Sequence, residues 1–248
     1  MADKYSSVWT RPPRRQRDQP QLSREQIVAE ALKLLDEEGI DALSMRRLGS
    51  RLGSVATAIY WHVATKDDLV ELVIDEIYAE AWLPEDRVDP AEWRQTIFNV
   101  AHSLRSVIHR HPWVASAPGL AGLGGLGPNL TGIAERLLGV FVDAGFTLRE
   151  ADHCLNAVFG YVMGIAVSEA TSINQFKRSG LTREEWTERE IRPVTEDFEE
   201  RYPHLAELYS TLGDAVPETV NRDNFDYGLD RILDGLEGRL PFSSPPDA

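Results

Sequence analysis

Side chains suited to contact with a polynucleotide are concentrated between residues 44 and 63. Ala56 and Thr57 are small enough to let a helix backbone approach the edges of bases. The side chains in this stretch that can reach phosphate oxygens are Arg46, Arg47, Tyr60 and His62. These residue types favour DNA binding over catalysis, because the chain has no nucleophile elbow, P-loop or paired-carboxylate signature.

Two short helices are predicted to hold these side chains. The first covers residues 44–52, with Ser44 as its N-cap, and Gly53 permits the tight turn that follows. The second runs from about 55 to 63 after a Ser54 cap, and its predicted buried face consists of Val55, Ile59 and Val63. Helices joined in this way form a helix-turn-helix, although any helical hairpin with a glycine turn gives a similar pattern.

Further helices are predicted on both sides of this pair. Residues 23–39 form an amphipathic helix that begins with a capping box between Ser23 and Gln26. Thr65 caps a helix over residues 66–83, which carries apolar residues on two sides and can therefore connect two hydrophobic cores. We expect a three-helix DNA-binding domain at residues 22–66 and a connecting helix at residues 67–83.

Residues 23–83, and above all the run IYWHVATKDDLVELV, resemble the DNA-binding domain of the tetracycline-repressor (TetR) family. The resemblance implies a recognition helix that ends at Tyr60, Trp61 and His62, followed by Lys66 at the head of the next helix. Arg46 and Arg47 match the basic pair of the family's second helix. The residues expected to contact DNA are therefore Arg46, Arg47, Ala56, Thr57, Tyr60, Trp61, His62 and Lys66.

The charge of the chain is unevenly distributed. The 248 residues carry a formal charge of −14, yet residues 1–66 hold 11 basic against 8 acidic residues, and the other 182 hold 15 against 32. This asymmetry is expected if only the N-terminal part meets phosphate, although an acidic surface also maintains solubility. A single cysteine, Cys154, and no secretory signal or long apolar run favour a cytoplasmic protein without membrane contact.

The first 21 residues form a basic, proline-containing arm that is expected to be flexible. Its arginines are Arg11, Arg14, Arg15 and Arg17, and its prolines are Pro12, Pro13 and Pro20. Two interpretations remain open for this arm. It lies along the minor groove of DNA, or it is a disordered tail that attracts DNA without specificity.

Residues 84–248 are predicted to be helical throughout, because no stretch alternates with the period of a strand. The chain is therefore expected to be all-α. Helices at about 147–170 and 222–236 correspond to the two that pair across the dimer in the TetR family, and Gly160 and Gly164 would permit a close approach. The resemblance thus implies a homodimer, which would read a palindromic operator.

The C-terminal part resembles the branch of the tetracycline repressor itself. Positions that contact drug in that branch correspond here to Trp82, Val100 and Leu104, which cannot ligate a magnesium chelate. We therefore expect a small apolar or aromatic effector, bound without metal or cofactor, with His102 and Asn156 as polar contacts. The candidate ligand-binding residues are Trp82, Phe98, Val100, His102, Leu104, Trp113, Leu137, Asn156 and Phe159. Ordinary core packing is the competing explanation for the apolar ones.

Two other functions compete with a ligand-responsive repressor. The glycines at 122, 124 and 127 match a dinucleotide fingerprint, which would indicate an enzyme, but no strand precedes them. The second competing function is a DNA-binding adaptor, whose C-terminal part would bind a protein partner instead of a small molecule. We expect no enzyme activity and no metal site, because the histidines lack the spacing of metal ligands.

Overall fold

The structure is a computed structural model that describes residue 9 and residues 22–117, 127–191, 201–212 and 217–240. The ten α-helices in these ranges are α1 (Arg24–Glu38), α2 (Met45–Arg51), α3 (Ala56–His62), α4 (Lys66–Tyr78), α5 (Trp93–Arg110), α6 (Pro128–Asp143), α7 (Leu148–Ser179), α8 (Arg183–Trp186), α9 (Pro203–Leu212) and α10 (Pro217–Glu237). Short 3₁₀ helices precede α2 (Ile40–Ala42), precede α5 (Pro90–Glu92) and follow it (Pro112–Ser116). The described ranges contain no strand, which confirms the all-α prediction.

Helices α1–α3 pack around one hydrophobic core, which we call the first core. Ile27, Leu34, Leu48 and Ile59 are fully buried in it. The predicted caps are present: Ser23 and Gln26 form a capping box, and the Ser44 hydroxyl accepts a hydrogen bond from the Arg47 amide. These caps satisfy amides that have no partner within their helix, so they fix where α1 and α2 begin.

Helix α4 belongs to two cores at once. Its residues Leu69, Val73 and Ile77 lie in the first core, whereas Tyr78 lies in a second core built by α5, α6, α7 and α10. Ile74 packs against both cores. The prediction of a helix apolar on two sides is therefore correct, but the helix ends at Tyr78 and not at residue 83.

The second core is centred on aromatic side chains. Trp93 of α5 and Phe141 of α6 both pack against Phe146, with ring centroids 5.6 and 5.7 Å apart in edge-to-face geometry. Phe225 and Leu229 of α10 are fully buried in the same core. Aromatic packing of this kind stabilises the helical arrangement beyond simple burial of area.

Helix α7 is longer than its apolar stripe predicts. It continues past Ala170 to Ser179 and ends at Gly180, which has a left-handed φ of 65°. In the added turns, Asn174 donates to the Pro112 carbonyl and Arg178 pairs with Asp41 at 3.0 Å. Polar contacts with Pro112 and Asp41 therefore support these turns, which lie beyond the end of the helix predicted at about 147–170.

By length and composition, α7 could also cross a membrane: an 18-residue window reaches a mean hydropathy of 1.3, and a third of it is buried. One helix of this kind is weak support for a membrane span, because helices of water-soluble proteins meet the same criterion.

A buried carboxylate joins α4 to α6. Asp75 of α4 is 4% exposed and accepts hydrogen bonds from the backbone amides of Asn129 and Leu130, at 3.2 and 3.1 Å. The Asn129 side chain also donates to Asp75. Asp75 thus supplies an acceptor for backbone amides at the start of α6 that have no partner within the helix. Its negative charge is also favourable at a helix N-terminus.

The turn between α2 and α3 depends on two glycines. Gly53 has a φ of 62°, in the left-handed region, and the Ser54 amide donates to the Gly49 carbonyl at 2.8 Å. A Cβ added at Gly49 would lie 3.0 Å from the Ser54 oxygen and 3.2 Å from the Ala56 nitrogen. Gly49 therefore allows the backbone of the turn to press against α2, a role that sequence analysis missed.

Replacing Gly49 with Ala should destabilise the protein by about 1–3 kcal/mol, because the contacted atoms belong to backbone and cannot move aside easily. Gly139→Ala is the matched control, since a Cβ at this helical glycine meets nothing within 4 Å. The control should gain about 0.5–1 kcal/mol from helix propensity. Urea denaturation measures both, and equal effects would show that the close approach at Gly49 has no energetic consequence.

Candidate nucleic-acid interface

The recognition helix α3 presents the predicted residues on its outer face. Thr57, Tyr60 and Trp61 are exposed, Trp61 to 68%, while Ile59 is fully buried beneath them. Ala56 and His62 are half-buried at the two ends of the helix. The structure therefore brings all five predicted α3 residues onto or beside one accessible surface.

The start of α3 differs from the prediction. Val55, expected to be buried, is 66% exposed and serves as N-cap, and Ser54 does not cap the helix. The extended backbone at Val55, with a ψ of 150°, turns its side chain away from the core. An exposed valine beside Thr57 adds an apolar group that can contact the methyl group of thymine.

Three basic side chains surround α3 in different states. Arg46 is exposed and takes part in none of the ion pairs found within the described ranges. Arg47 pairs with Glu38 of α1, and the Lys66 amine lies 3.5 Å from the Ile40 carbonyl. Arg46 and Lys66 can bind a phosphate directly, whereas Arg47 must first release the carboxylate of Glu38.

Arg51 has a different role from these three. Its guanidinium donates to Glu30 and Glu37 of α1, each at 2.6 Å, and these hydrogen bonds raise the pKa of Arg51 further above its usual value. The hydrogen bond from Arg51 also lowers the pKa of the Glu37 carboxyl. This pairing fastens α2 to α1 and helps to fix the surface that carries α3.

The candidate ligand-binding residues fall into separate groups. Val100, Leu104 and Leu137 are buried together in the second core. Phe98 and His102 lie at its edge, with ring centroids 4.6 Å apart, and the Nε2 atom of His102 is 2.8 Å from Asp226 of α10. The structure thus gathers five of the nine around α5.

The other four do not join this group. Trp82 is 48% exposed beyond the end of α4, and Phe159 is half-buried on α7. Asn156 is exposed and donates to the Asp152 carbonyl one turn earlier. Trp113 packs in the first core, where its indole nitrogen donates to Asp36 at 2.8 Å. Their assignment to a ligand site remains a prediction.

The two remaining candidate features lie largely outside the described residues. Of the glycine-rich stretch, only Gly127 is described; a Cβ there would lie 2.2 Å from the Asp75 carboxyl carbon, so this glycine makes room for Asp75. Of the basic arm, only Trp9 is described, and Arg24 stacks over its ring at 5.7 Å. Within the described ranges, no group of histidine, cysteine and acidic side chains could hold a metal ion.

Comparison with known proteins gives the same assignment for both parts of the chain. Residues 27–73 match the family model "Bacterial regulatory proteins, tetR family", and residues 86–240 match "Tetracyclin repressor-like, C-terminal domain". The HTH-type transcriptional repressor DrrR1 of Streptomyces coeruleorubidus is 31% identical over 221 residues, which cover 88% of this chain and 78% of that protein.

Two solved structures are also similar. ActR of Streptomyces coelicolor in complex with (S)-DNPA is 26% identical, with a TM-score of 0.67 over 87% of this chain and 97% of the other. BioQ with its double-stranded DNA operator is 25% identical, with a TM-score of 0.60 over 88% and 100%. The matched families and relatives are transcriptional regulators and not enzymes. The chain is a member of the TetR family of bacterial DNA-binding transcriptional regulators.

Proposed function

We propose that this regulator is a cytoplasmic repressor that binds a palindromic operator as a homodimer and is released by a small apolar or aromatic effector. The observation that carries the proposal is the outward face of α3, where Thr57, Tyr60 and Trp61 are exposed between Arg46 and Lys66. The relative DrrR1 is named a repressor, and the similar BioQ was solved with its operator, which supports this role.

The proposed roles follow from the chemistry of each side chain. Ala56, Thr57 and Val55 approach base edges, where small and apolar groups can discriminate thymine. Tyr60, Trp61 and His62 contact the DNA from the end of α3. Arg46, Arg47 and Lys66 neutralise phosphates and so set the register of the helix in the groove. The proposed domains are an arm at 1–21, the DNA-binding domain at 22–66, the connecting helix at 67–83 and the C-terminal domain at 84–248.

Dimerisation is proposed to use the outer faces of α7 and α10. Ala157, Gly160 and Gly164 of α7 are exposed, and a Cβ at either glycine would meet nothing within 4 Å. Tyr227 of α10 is 68% exposed. Small exposed residues on α7 suit close packing against a second pair of helices, which would bury the apolar surface of α7, and an exposed tyrosine on α10 is of a type enriched in interfaces.

The effector is proposed to bind in the second core around α5, where Phe98, Val100, His102, Leu104 and Leu137 lie. The similar ActR was solved with (S)-DNPA, which supports a small-molecule effector. Displacement of α6 would reach α4 through Asp75, because this carboxylate holds the start of α6. A shift of α4 changes the spacing of the two recognition helices and thus favours a state with lower DNA affinity.

Capture of genomic DNA tests the proposal as a whole. Fragments retained by the purified protein are sequenced, and one of them is used in a binding assay with excess unrelated DNA. We expect retention of a few fragments with inverted repeats. Equal retention of all fragments would contradict an operator-specific repressor.

Replacing Lys66 with Ala should weaken binding to all sequences alike and reduce the dependence of log affinity on log salt by roughly one for each chain in contact. Arg46→Ala should behave similarly. Lys33→Ala is the control, because Lys33 pairs with Glu30 on α1. Fluorescence anisotropy at several salt concentrations measures the slope, and an unchanged slope for Lys66→Ala would refute its contact.

Replacing Gly164 with Leu should weaken the dimer, because the added side chain would occupy the proposed interface. Gly132→Leu provides the comparison, since Gly132 is also an exposed helical glycine with open space around it. Sedimentation velocity at micromolar concentration should detect monomer only for Gly164→Leu. A wild-type protein that is itself monomeric would overturn the proposed dimer.

Leu104→Ala separates a ligand pocket from an ordinary core. If Leu104 borders the effector, truncation should cost less than the usual amount for a buried leucine, about 2–5 kcal/mol, and should alter release from DNA. Leu34→Ala in the first core should show that full cost. A panel of apolar aromatic compounds is tested for DNA release. A large loss of stability with an unaltered response would place the pocket elsewhere.

A further inference from the structure

His111 lies at the junction between the DNA-binding part and the C-terminal part. It follows α5 and is 6% exposed. Its Nδ1 atom is 2.7 Å from Asp36 of α1, and its Nε2 atom is 3.0 Å from Glu80, just after α4. Three segments of the chain therefore meet at one imidazole ring.

The geometry determines the protonation state of this ring. A carboxylate only accepts hydrogen bonds, so each ring nitrogen must carry a hydrogen to bond both partners. A histidine with hydrogen on both nitrogens is a cation. Burial alone would lower the pKa of His111, but the hydrogen bond to Asp36 and the charges of Asp36 and Glu80 outweigh it and raise the pKa above its usual value.

The surrounding groups balance this charge. Trp113 donates to the Asp36 oxygen that His111 also contacts, and Arg110 donates to Glu80 at 2.8 and 3.0 Å. When His111 is protonated, the carboxylates of Asp36 and Glu80 face two cations, His111 and Arg110. When His111 is neutral, one negative charge of this group is not balanced. A cavity of about 220 Å³ adjoins Asp36 and Trp113, and its charged lining is Glu37, Glu38, Lys177 and Arg178.

We propose that protonated His111, bridging Asp36 and Glu80, fixes the orientation of the DNA-binding part, and that its deprotonation at alkaline pH loosens the junction and weakens DNA binding. The effect on DNA rests on the proposed function, whereas the loosening does not. The bridge contributes its full stability below the pKa of an unfolded histidine, about 6.5, and loses it as pH rises through the higher pKa of the folded protein.

The free protein provides the first test. The His111 ring resonance, assigned by its absence from His111→Gln, should titrate above pH 6.5, and Asp36→Asn should lower its midpoint. Hydrogen exchange at the end of α1, corrected for intrinsic rates, should rise by about tenfold between pH 6.5 and 8.5, as expected for one lost charge-assisted hydrogen bond.

His109→Gln is the matched control, because the His109 ring is hydrogen-bonded to Glu169 of α7 at 2.7 Å, whereas the His111 ring is hydrogen-bonded to Asp36 of α1. It should leave the pH dependence of exchange in α1 intact, whereas Asp36→Asn should abolish it. If His111→Gln fails to fold, the pH dependence of exchange in α1, compared between the wild type and Asp36→Asn, still tests the proposal. A His111 midpoint at or below 6.5, or exchange in α1 that is independent of pH, would overturn the proposal.

The second test measures affinity for a captured genomic fragment across the same pH range. Wild-type affinity should fall above the His111 midpoint, and Asp36→Asn should bind more weakly without this fall. Wild-type affinity that stays constant while α1 exchange rises would refute the link to DNA binding. Failure to retain any specific fragment would instead refute the proposed function and leave the first test valid.

Discussion

The structure depends on the packing of α4 into two hydrophobic cores. Its residues Leu69, Val73 and Ile77 complete the first core, and Tyr78 enters the second. Because well-packed cores resist small displacements, neither core can shift against α4 without losing contacts. The recognition helix rests on the first core, so its position is set by a helix that the C-terminal part also holds.

Two polar contacts reinforce this shared helix at different points. Asp75 fixes the start of α6 against the last turn of α4, and Glu80, just beyond the helix, is held by His111 and Arg110. Asp75 and His111 are buried, and their hydrogen bonds add directional contacts to the apolar packing of the two cores. A regulator that must change between two arrangements benefits from discrete contacts that are either made or broken.

Local chemistry made much of the fold predictable. Ser23, Ser44 and Thr65 are helix caps whose hydroxyls meet the expected amides, and apolar spacing located the helices themselves. The exposure of Val55 could not be derived, because it depends on how the turn enters α3. The final turns of α7 were missed because polar contacts, including Arg178 with Asp41, hold them across 137 residues of sequence.

The proposed interface for DNA was easier to predict from the sequence than the proposed ligand site. Helical spacing predicts Tyr60 on the face opposite Ile59, and the resemblance to the TetR family adds Trp61; both are exposed. Trp113, in contrast, has the size and type expected of a pocket residue, yet it packs beside Asp36 in the first core. Large apolar side chains serve packing and binding equally well, so only their three-dimensional neighbours distinguish the two uses.

The most direct test of the central role of α4 is the distance between the recognition helices of a dimer. Spin labels are placed at Thr57→Cys in a Cys154→Ser background, and the distances are measured by pulsed electron paramagnetic resonance. With Asp75 intact, we expect one narrow distribution, and Asp75→Ala should shift or broaden it. An unchanged narrow distribution in a folded Asp75→Ala dimer would contradict the control of the recognition helices through α4.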